Sequence, residues 1–270
     1  MKDILEEIVA AKRIEVARQK EELSPKQLYS KVDAIMEGRD DAAIQLVERS
    51  MSKALASSAS GIIAEFKRKS PSKGWIHADA RPEDVVPMYA AHGASALSIL
   101  TDEPYFGGCQ DFIVRMRPLV EIPIIRKDFI VDEYQLFQAR LIGADAVLLI
   151  AADLKRTECM ELLRKAHDLK LEVLLEIHGE NELDYYCDEV DMLGVNNRNL
   201  GTFHTDVQHS FDVAKRLPSE AVLVSESGIS KPQTVKELRE AGFRGFLIGE
   251  TFMKEIDPGA ALERFIKELE

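Results

Sequence analysis

Leu141-Ile142-Gly143-Ala144-Asp145 leads directly into an apolar run that ends at Ile150. A glycine commonly ends a helix, and a short apolar run after it is typical of a buried strand. The same order of helix end, glycine and strand start recurs in Glu240-Ala241-Gly242-Phe243 and in Ala91-His92-Gly93-Ala94-Ser95. This recurrence indicates a chain in which helices and strands alternate.

Eight short apolar runs, rich in Val, Ile and Leu, extend this pattern along the chain. Their starts lie roughly 20 to 35 residues apart, which is the length of a βα unit. Because the runs are almost continuously apolar, we expect strands of a parallel sheet that is covered on both faces. The runs cover residues 61–66, 95–100, 122–126, 144–150, 172–177, 192–195, 221–224 and 245–248.

The stretches between these runs are charged and amphipathic, as helices on a protein surface are. Apolar residues recur at helical spacing in 157–170 and 231–241, and a last helix is expected over 258–270. Eight strands with seven intervening helices and a final helix predict an α/β protein, a (β/α)8 (TIM) barrel. An open doubly wound sheet is the alternative, but it usually has a glycine-rich turn after its first strand, and this sequence has none there.

Residues 1–58 do not follow the repeat. Ile4, Leu5 and Ile8 recur at helical spacing, and Ser24-Pro25 has the pattern of an N-cap followed by proline in the first turn of a helix. A third helix is expected over about 41–56. We interpret 1–58 as a helical extension packed on a barrel formed by 59–270, all within one domain. The extension would either close one end of the barrel or cover the active site.

Composition limits the partners and the compartment. The 270 residues carry a formal net charge of −12, which argues against nucleic acid as a ligand. Three widely spaced cysteines, Cys109, Cys159 and Cys187, fit a reducing cytoplasm better than a disulfide framework. No apolar run is long enough to span a membrane, and the N-terminus lacks the pattern of a signal peptide. We therefore expect a cytoplasmic protein, as a monomer or a weak homodimer, without membrane or nucleic-acid partners.

Functional groups of such barrels lie at the carboxyl ends of the strands. At five of the eight predicted ends the sequence has a charged or amide side chain, and a lone carboxylate or lysine there is ordinary. Their convergence on one rim is not, because acids and bases in a partly dry cavity shift one another's pKa values, as acid/base catalysis requires. These side chains include Glu65, Lys67, Lys127, Glu176, Asn196 and Glu226.

Two turns at the same end favour an anion. Ser227-Gly228-Ile229-Ser230 and Gly249-Glu250-Thr251 follow the last two strands, where backbone N–H groups of these barrels often bind phosphate. His178 follows Glu176 on the same strand face, but no second His or Cys lies at the spacing of metal ligands, so we expect no metal site. Two tight turns without a ligand would be the structural alternative.

Four segments together resemble indole-3-glycerol phosphate synthases. The resemblance covers nearly the whole chain and includes the helical extension. It implies closure of the indole ring on 1-(2-carboxyphenylamino)-1-deoxyribulose 5-phosphate, with loss of CO2 and water and without a cofactor. The segments are Ala64-Glu65-Phe66-Lys67-Arg68-Lys69-Ser70-Pro71-Ser72, Ile125-Arg126-Lys127-Asp128-Phe129-Ile130, Gly194-Val195-Asn196-Asn197-Arg198-Asn199-Leu200 and Ser225-Glu226-Ser227-Gly228-Ile229.

The resemblance implies a role for each residue. Lys127 would protonate the ketone, Glu176 or Glu65 would assist dehydration, and the ammonium of Lys67 would pair with substrate anions. Asn196 and Glu226 would hold sugar hydroxyls and catalytic groups, and Arg198 would face the substrate carboxylate. Phe106, Phe129 and Leu148 would hold the aromatic ring. The phosphate would be bound by Lys67, Arg68, Ser70, Ser227, Gly228 and Gly249.

Two positions depart from the expected pattern. Glu250 would repel a phosphate, so we expect its side chain to point away, and Trp75 is bulkier than expected after Gly74. Three other functions stay open. A related barrel such as phosphoribosylanthranilate isomerase should lack the extension and the acid/base set. A class I aldolase would form a Schiff base on Lys127. A binding or scaffold barrel would need no convergent acid and base.

Overall fold

The computed structural model describes residues 4–39, 47–199, 202 and 204–269. Eight parallel strands close into a barrel in which each strand pairs with the next along the chain and the last pairs with the first. The predicted (β/α)8 barrel is confirmed. The strands are β1 Ile62–Phe66, β2 Ala96–Leu100, β3 Ile124–Lys127, β4 Ala146–Ile150, β5 Glu172–Ile177, β6 Met192–Asn196, β7 Val222–Glu226 and β8 Gly245–Ile248.

Helices follow the strands as expected, with one difference. The connection from β5 to β6 contains a 3-10 helix, Glu180–Tyr185, instead of an α-helix, and no side chain caps its first turn. The α-helices are α1 Ile4–Glu22, α2 Pro25–Met36, α3 Met51–Ser57, α4 Pro82–Ala91, α5 Glu103–Phe106, α6 Gln110–Met116, α7 Glu133–Ile142, α8 Arg156–Asp168, α9 Gln208–Ala214, α10 Pro232–Glu240, α11 Glu250–Met253 and α12 Pro258–Lys267. Two further 3-10 turns are Arg117–Leu119 and Ala151–Asp153.

The apolar core has two layers, because successive residues of a strand point to opposite faces. Val173 and Leu175 of β5 pack in the layer between the strands and the helices. Leu174 of the same strand packs inside the barrel. The same alternation makes Glu176 the next inward residue, near the carboxyl end of the barrel.

The helical extension contacts both ends of the barrel. Ser24 is the N-cap of α2, as predicted, and it forms a capping box with Gln27. Met51 and Leu55 of α3 join the apolar cluster inside the barrel, where Leu55 lies next to the first residue of β8. Part of the extension therefore closes the amino end of the barrel.

The third helix is shorter than predicted. It begins at Met51, and residues 47–50 are not helical, while residues 41–46 lie outside the described part of the chain. Ser50 accepts a hydrogen bond from the backbone N–H of Lys53, which makes it the N-cap. The carboxylate of Glu172 accepts the N–H groups of Met51 and Ser52 at 2.6 and 2.9 Å. The local capping chemistry thus fixes a later start than the apolar pattern indicated.

The loop after β1 folds into a small antiparallel ribbon, Lys69–Ser70 with Gly74–Trp75. The indole of Trp75 remains about half exposed and lies between the loop and Gly107. Among the described residues, no helix has the length and apolarity to cross a membrane.

Candidate active site

A cavity of about 500 Å³ opens at the carboxyl ends of the barrel strands. Side chains from most of the strand ends line it, together with the turns after β7 and β8 and one face of α1. Of the residues expected at the site, the cavity is lined by Glu65, Lys67, Phe106, Lys127, Phe129, Leu148, Glu176, Asn196, Arg198, Glu226, Ser227, Gly228 and Gly249.

Lys127, the last residue of β3, is the central cation of this cavity. Its Nζ lies 3.0 Å from Glu176 Oε2 and 2.9 Å from Glu226 Oε2. The three side chains come from β3, β5 and β7, so the closed barrel brings together groups that are far apart in sequence. Both carboxylates are almost completely buried, which strengthens their attraction to the ammonium.

This arrangement separates the pKa values of the three groups. Burial disfavours the charged lysine, but the carboxylates of Glu176, Glu226 and Glu65 outweigh it and raise the pKa of Lys127. Burial also opposes ionisation of Glu176, and Lys127 together with His178 and Asn196 outweighs it, so its pKa falls below the usual range. For Glu226 burial dominates, and the pKa rises to about 7.

Two glycines make room for the inward carboxylates. A Cβ atom on Gly249 would lie 2.4 Å from Glu65 Oε1, and one on Gly194 would lie 2.3 Å from Glu226 Oε1. With any other residue at either position, the facing carboxylate would have to move. Glycine at the end of β8 and within β6 is therefore what allows these carboxylates to turn into the cavity.

Glu65 of β1 and Lys67, the residue directly after Phe66 at the end of that strand, both line the cavity. The Nζ of Lys67 is 2.5 Å from Glu65 Oε1, and both side chains are mostly buried. A second acid and base pair therefore stands in the same cavity as Lys127. When an anion enters the cavity, the ammonium of Lys67 could pair with it in place of the carboxylate of Glu65.

Glu176 is held by Asn196, the last residue of β6, and by His178, which directly follows β5. Asn196 Nδ2 donates to Glu176 Oε1 at 2.9 Å, and His178 Nε2 lies 3.2 Å from the same oxygen. Burial disfavours a charged imidazole, yet Glu176 and Glu182 raise the pKa of His178 to about 10. Glu176 therefore stands between two cations, which keeps it ionised and fixed in orientation.

The apolar side of the cavity is formed by two aromatic rings. The ring centroids of Phe106 and Phe129 are 6.1 Å apart, and the planes are inclined by 39°. Leu148 of β4 lines the cavity with them. We call the space bounded by Phe106, Phe129 and Leu148 the aromatic slot.

The turns after β7 and β8 bound the cavity opposite the strand ends. Ser227 and Gly228 both have left-handed backbone, with φ of 71° and 80°. Both residues line the cavity, and the backbone N–H groups of such a turn can bind an anion. Gly249 comes directly before the short helix α11, as expected for a phosphate-binding barrel.

Two residues expected at the phosphate do not line this cavity. Arg68 donates to the carbonyls of Gly107 and Ala78, and its guanidinium lies over the rings of Trp75 and Phe112. Ser70 is buried in the ribbon after β1. Neither residue lines the cavity in this structure, because the strand ends at Phe66 and the loop places their side chains elsewhere, so their assignment to the phosphate stays a prediction.

Other residues line the cavity without having been singled out as ligands. Ser72 and Lys73 of the first loop do so, and Ile4, Leu5 and Ile8 bring α1 across its mouth. The apolar stripe of α1 is visible in the sequence, but its place over the site depends on tertiary packing. The extension thus borders the candidate active site as well as closing the opposite end of the barrel.

Glu250 differs from the expectation that it points away. It lines the cavity, and its Oε1 lies 2.5 Å from Nζ of Lys73. A nearby cation in the first loop therefore compensates an acid that would otherwise face an entering phosphate. This pair joins the first and the last loop of the barrel across the cavity.

The carboxyl end of the (β/α)8 barrel thus combines a lysine between carboxylates, turns that contain glycine and an aromatic slot. Solved structures agree on the fold. A structure of KGPDC from Streptococcus mutans matches with a TM-score of 0.61 and 12% identity, over 78% of this chain and 98% of that chain. Thiamine phosphate pyrophosphorylase from Pyrococcus furiosus matches with a TM-score of 0.58 and 15% identity, over 78% and 96%.

Sequence comparison defines the family. The family model described as indole-3-glycerol phosphate synthase matches residues 5–265. The indole-3-glycerol phosphate synthase of Bacteroides thetaiotaomicron is 61% identical over the full length of both chains, and that of Polaromonas sp. is 41% identical over 97% of each. The chain belongs to the indole-3-glycerol phosphate synthase family, which comprises carboxy-lyases of tryptophan biosynthesis that act on a phosphorylated small molecule.

Proposed function

We propose that the cavity closes the indole ring of 1-(2-carboxyphenylamino)-1-deoxyribulose 5-phosphate, with Lys127 as the acid. The observation that carries this assignment is the ammonium of Lys127 held between Glu176 and Glu226 on the wall of a cavity that also contains the aromatic slot. The aromatic slot would bind the aromatic end of such a substrate, and the turns after β7 and β8 would bind its phosphate end.

The substrate is expected to bind with its aromatic ring in the aromatic slot. Its phosphate would be bound by the turn at Ser227 and Gly228 and by the backbone near Gly249, with Lys67 supplying positive charge. Arg198 lines the same cavity, and its Nε donates to Thr205 Oγ1, so its guanidinium is our candidate to bind the substrate carboxylate. Asn196 and Glu226 are the candidates for the sugar hydroxyls.

Ring closure begins when the ring carbon that bears the carboxylate attacks the ketone carbon. The new carbon–carbon bond uses electrons pushed from the aniline nitrogen, and the ketone oxygen accepts a proton from Lys127. A raised pKa makes Lys127 a weak acid, but the oxygen becomes strongly basic as the bond forms, so the transfer is favourable in the transition state. Loss of CO2 then returns an electron pair to the ring and restores its aromaticity.

Dehydration needs an acid for the departing hydroxyl group and a base for the proton lost as the indole double bond forms. Glu176 is the leading base, because Lys127, His178 and Asn196 hold it ionised. Glu65 is the alternative and is already paired with Lys67. The rates of Glu176→Gln and Glu65→Gln in an assay of indole formation would distinguish the two candidate bases.

The test is a direct assay. Purified protein is mixed with the substrate without added metal or cofactor, and indole fluorescence is followed. Product formation that is lost in Lys127→Ala supports both the reaction and the acid. A folded protein that binds the substrate but gives no product would contradict the proposal. Trapping of a Lys127 adduct by borohydride with a ketose phosphate would favour an aldolase instead.

We further infer that the enzyme works in the cytoplasm as a single domain, either as a monomer or as a weak homodimer. The cysteines in the described chain are free, which fits a reducing compartment. The extension packs on the barrel at both ends, which supports one folding unit. A single cooperative unfolding transition and the mass measured by light scattering would test the domain and the oligomeric state.

A further inference from the structure

Lys12 of α1 is a buried cation on the apolar face of its helix. The residues of α1 that are buried with it are Leu5, Ile8 and Val16, so Lys12 occupies a position in an apolar stripe. Only 1% of its side chain is exposed. A buried ammonium is strongly unfavourable unless negative groups surround it, so this lysine needs a specific structural reason.

Three carboxylates surround Lys12. Its Nζ lies 2.8 Å from Glu15 Oε2 on the same helix, 2.9 Å from Asp102 Oδ2 and 3.0 Å from Asp128 Oδ1. Burial opposes the charge, but these carboxylates outweigh it and raise the pKa of Lys12. Asp102 and Asp128 are almost completely buried and follow β2 and β3, so Lys12 links the extension to two strand ends.

Each of these two aspartates organises one wall of the aromatic slot. Asp102 is the N-cap of α5 and accepts the N–H of Tyr105 at 2.9 Å, and α5 ends at Phe106. Asp128 accepts the N–H of Phe129 at 2.9 Å. One ammonium therefore joins the two short segments that carry the two rings.

Asp128 is itself held by two other groups. Its Oδ2 accepts Thr101 Oγ1 at 2.6 Å and Arg126 Nη2 at 2.9 Å. Its Oδ1, which faces Lys12, is the oxygen that also accepts the N–H of Phe129. Without Lys12, no ammonium would neutralise the charge near Oδ1 of the buried Asp128. We expect the carboxylates of Asp128 and Asp102 to move apart, which would disturb the hydrogen bond to the N–H of Phe129 and the cap of α5.

We propose that Lys12 is a positioning residue that sets the separation of Phe106 and Phe129, and through it the affinity of the site for the aromatic end of the substrate. The inference rests on the proposed function in assigning the ring to the aromatic slot. Lys12 lies one helical turn beyond Ile8, which lines the cavity, so the same contact also keeps α1 across the mouth. The phosphate turns belong to other strands, β7 and β8.

The test compares the two ends of the site separately. Dissociation constants of anthranilate and of inorganic phosphate are measured by ligand-observed NMR for the parent and for Lys12→Met. We expect the constant for anthranilate to rise about tenfold and that for phosphate to stay within about twofold, because only the slot loses its preorganisation. A purely structural role would alter both constants or neither, and either result would overturn the proposal.

Lys20→Met is the matched control. Lys20 lies on the same helix, its Nζ is 2.7 Å from Oδ2 of Asp132, the N-cap of α7, and neither of these two residues lines the cavity. It should leave both dissociation constants unchanged, and an equal loss of anthranilate binding there would overturn the assignment to Lys12.

If Lys12→Met does not fold, the double variant with Asp102→Asn replaces it. It removes one charge of each sign, so less unbalanced charge stays buried, and it should show the same selective loss of anthranilate binding. Unchanged anthranilate binding in the folded double variant would refute the proposal. These titrations need no turnover, so a parent that makes no indole product would contradict the proposed function without altering this comparison.

Discussion

Replacement of Lys127 by methionine is the most direct perturbation of the site. Methionine keeps much of the side-chain length but has no proton to donate. A positioned general acid contributes about 10²- to 10⁴-fold to a rate, so kcat should fall by that factor. Binding of inorganic phosphate should change little, because the phosphate turns belong to β7 and β8.

The variant should also change how stability depends on pH. Both carboxylates that contact Nζ lie about 3 Å from it, so they are within about 6 Å of each other. Two unbalanced charges at that distance repel by about 3 kcal/mol at an effective dielectric constant of 20, equivalent to about two pKa units. Glu176 or Glu226 should then keep a proton in the folded state, so stability is present at low pH and lost as the pH rises through the raised folded pKa.

Three measurements check this reasoning. Indole fluorescence at saturating substrate gives kcat, phosphorus NMR gives phosphate affinity, and urea unfolding between pH 5 and pH 8 gives stability. A kcat within tenfold of the parent would remove Lys127 from the acid role. The free energy of unfolding of the variant, relative to that of the parent, should fall as the pH rises. If it does not, the ammonium of Lys127 is not what keeps both carboxylates ionised.

Other expected outcomes concern the remaining carboxylates. Glu176→Gln should lower kcat by about 10²-fold or more, and Glu65→Gln should lower it by less, because Glu176 is our leading candidate for the base. A normal rate for Glu176→Gln would make Glu65 the base. The raised pKa of Glu226, about 7 in the folded protein, should make the parent lose up to about 3 kcal/mol of stability between pH 4.5 and 7. Glu226→Gln should abolish that slope in urea unfolding, and an unchanged slope would contradict it. Glu250→Ser should strengthen phosphate binding roughly fivefold and Lys73→Ala should weaken it, as measured by phosphorus NMR. The effects should be opposite because the two exposed side chains carry opposite charges. A change of phosphate affinity in the same direction in both variants would refute the pairing of Glu250 with Lys73.

The sequence was sufficient for the barrel because its signal is periodic. Each strand is a buried apolar run that begins and ends within two residues of the predicted limits, and β5 and β8 match them at both ends. The strand-end positions of Lys127, Glu176 and Glu226 followed from the same periodicity. Contacts that form between distant segments were beyond such reasoning.

Loops and the extension were the less predictable parts. Arg68 and Ser70 were expected at the phosphate, but after β1 the chain leaves the strand and no periodicity fixes where their side chains point. Glu250 was expected to point away because a phosphate repels it, and the compensating Lys73 lies in a loop at the other end of the barrel sequence. Lys12 interrupts the apolar stripe of its helix, and only its three partners explain it.

The helical extension has one further consequence. Ile8 of α1 lies at the mouth of the cavity, while Met51 and Leu55 of α3 fill the opposite end, so the extension spans the full height of the barrel. Shortening the chain from its amino end would therefore first remove α1 from the mouth of the cavity. Only a longer deletion would remove α3 from the amino end of the barrel. The shortest chain that can perform this chemistry is longer than the shortest chain that can close eight strands.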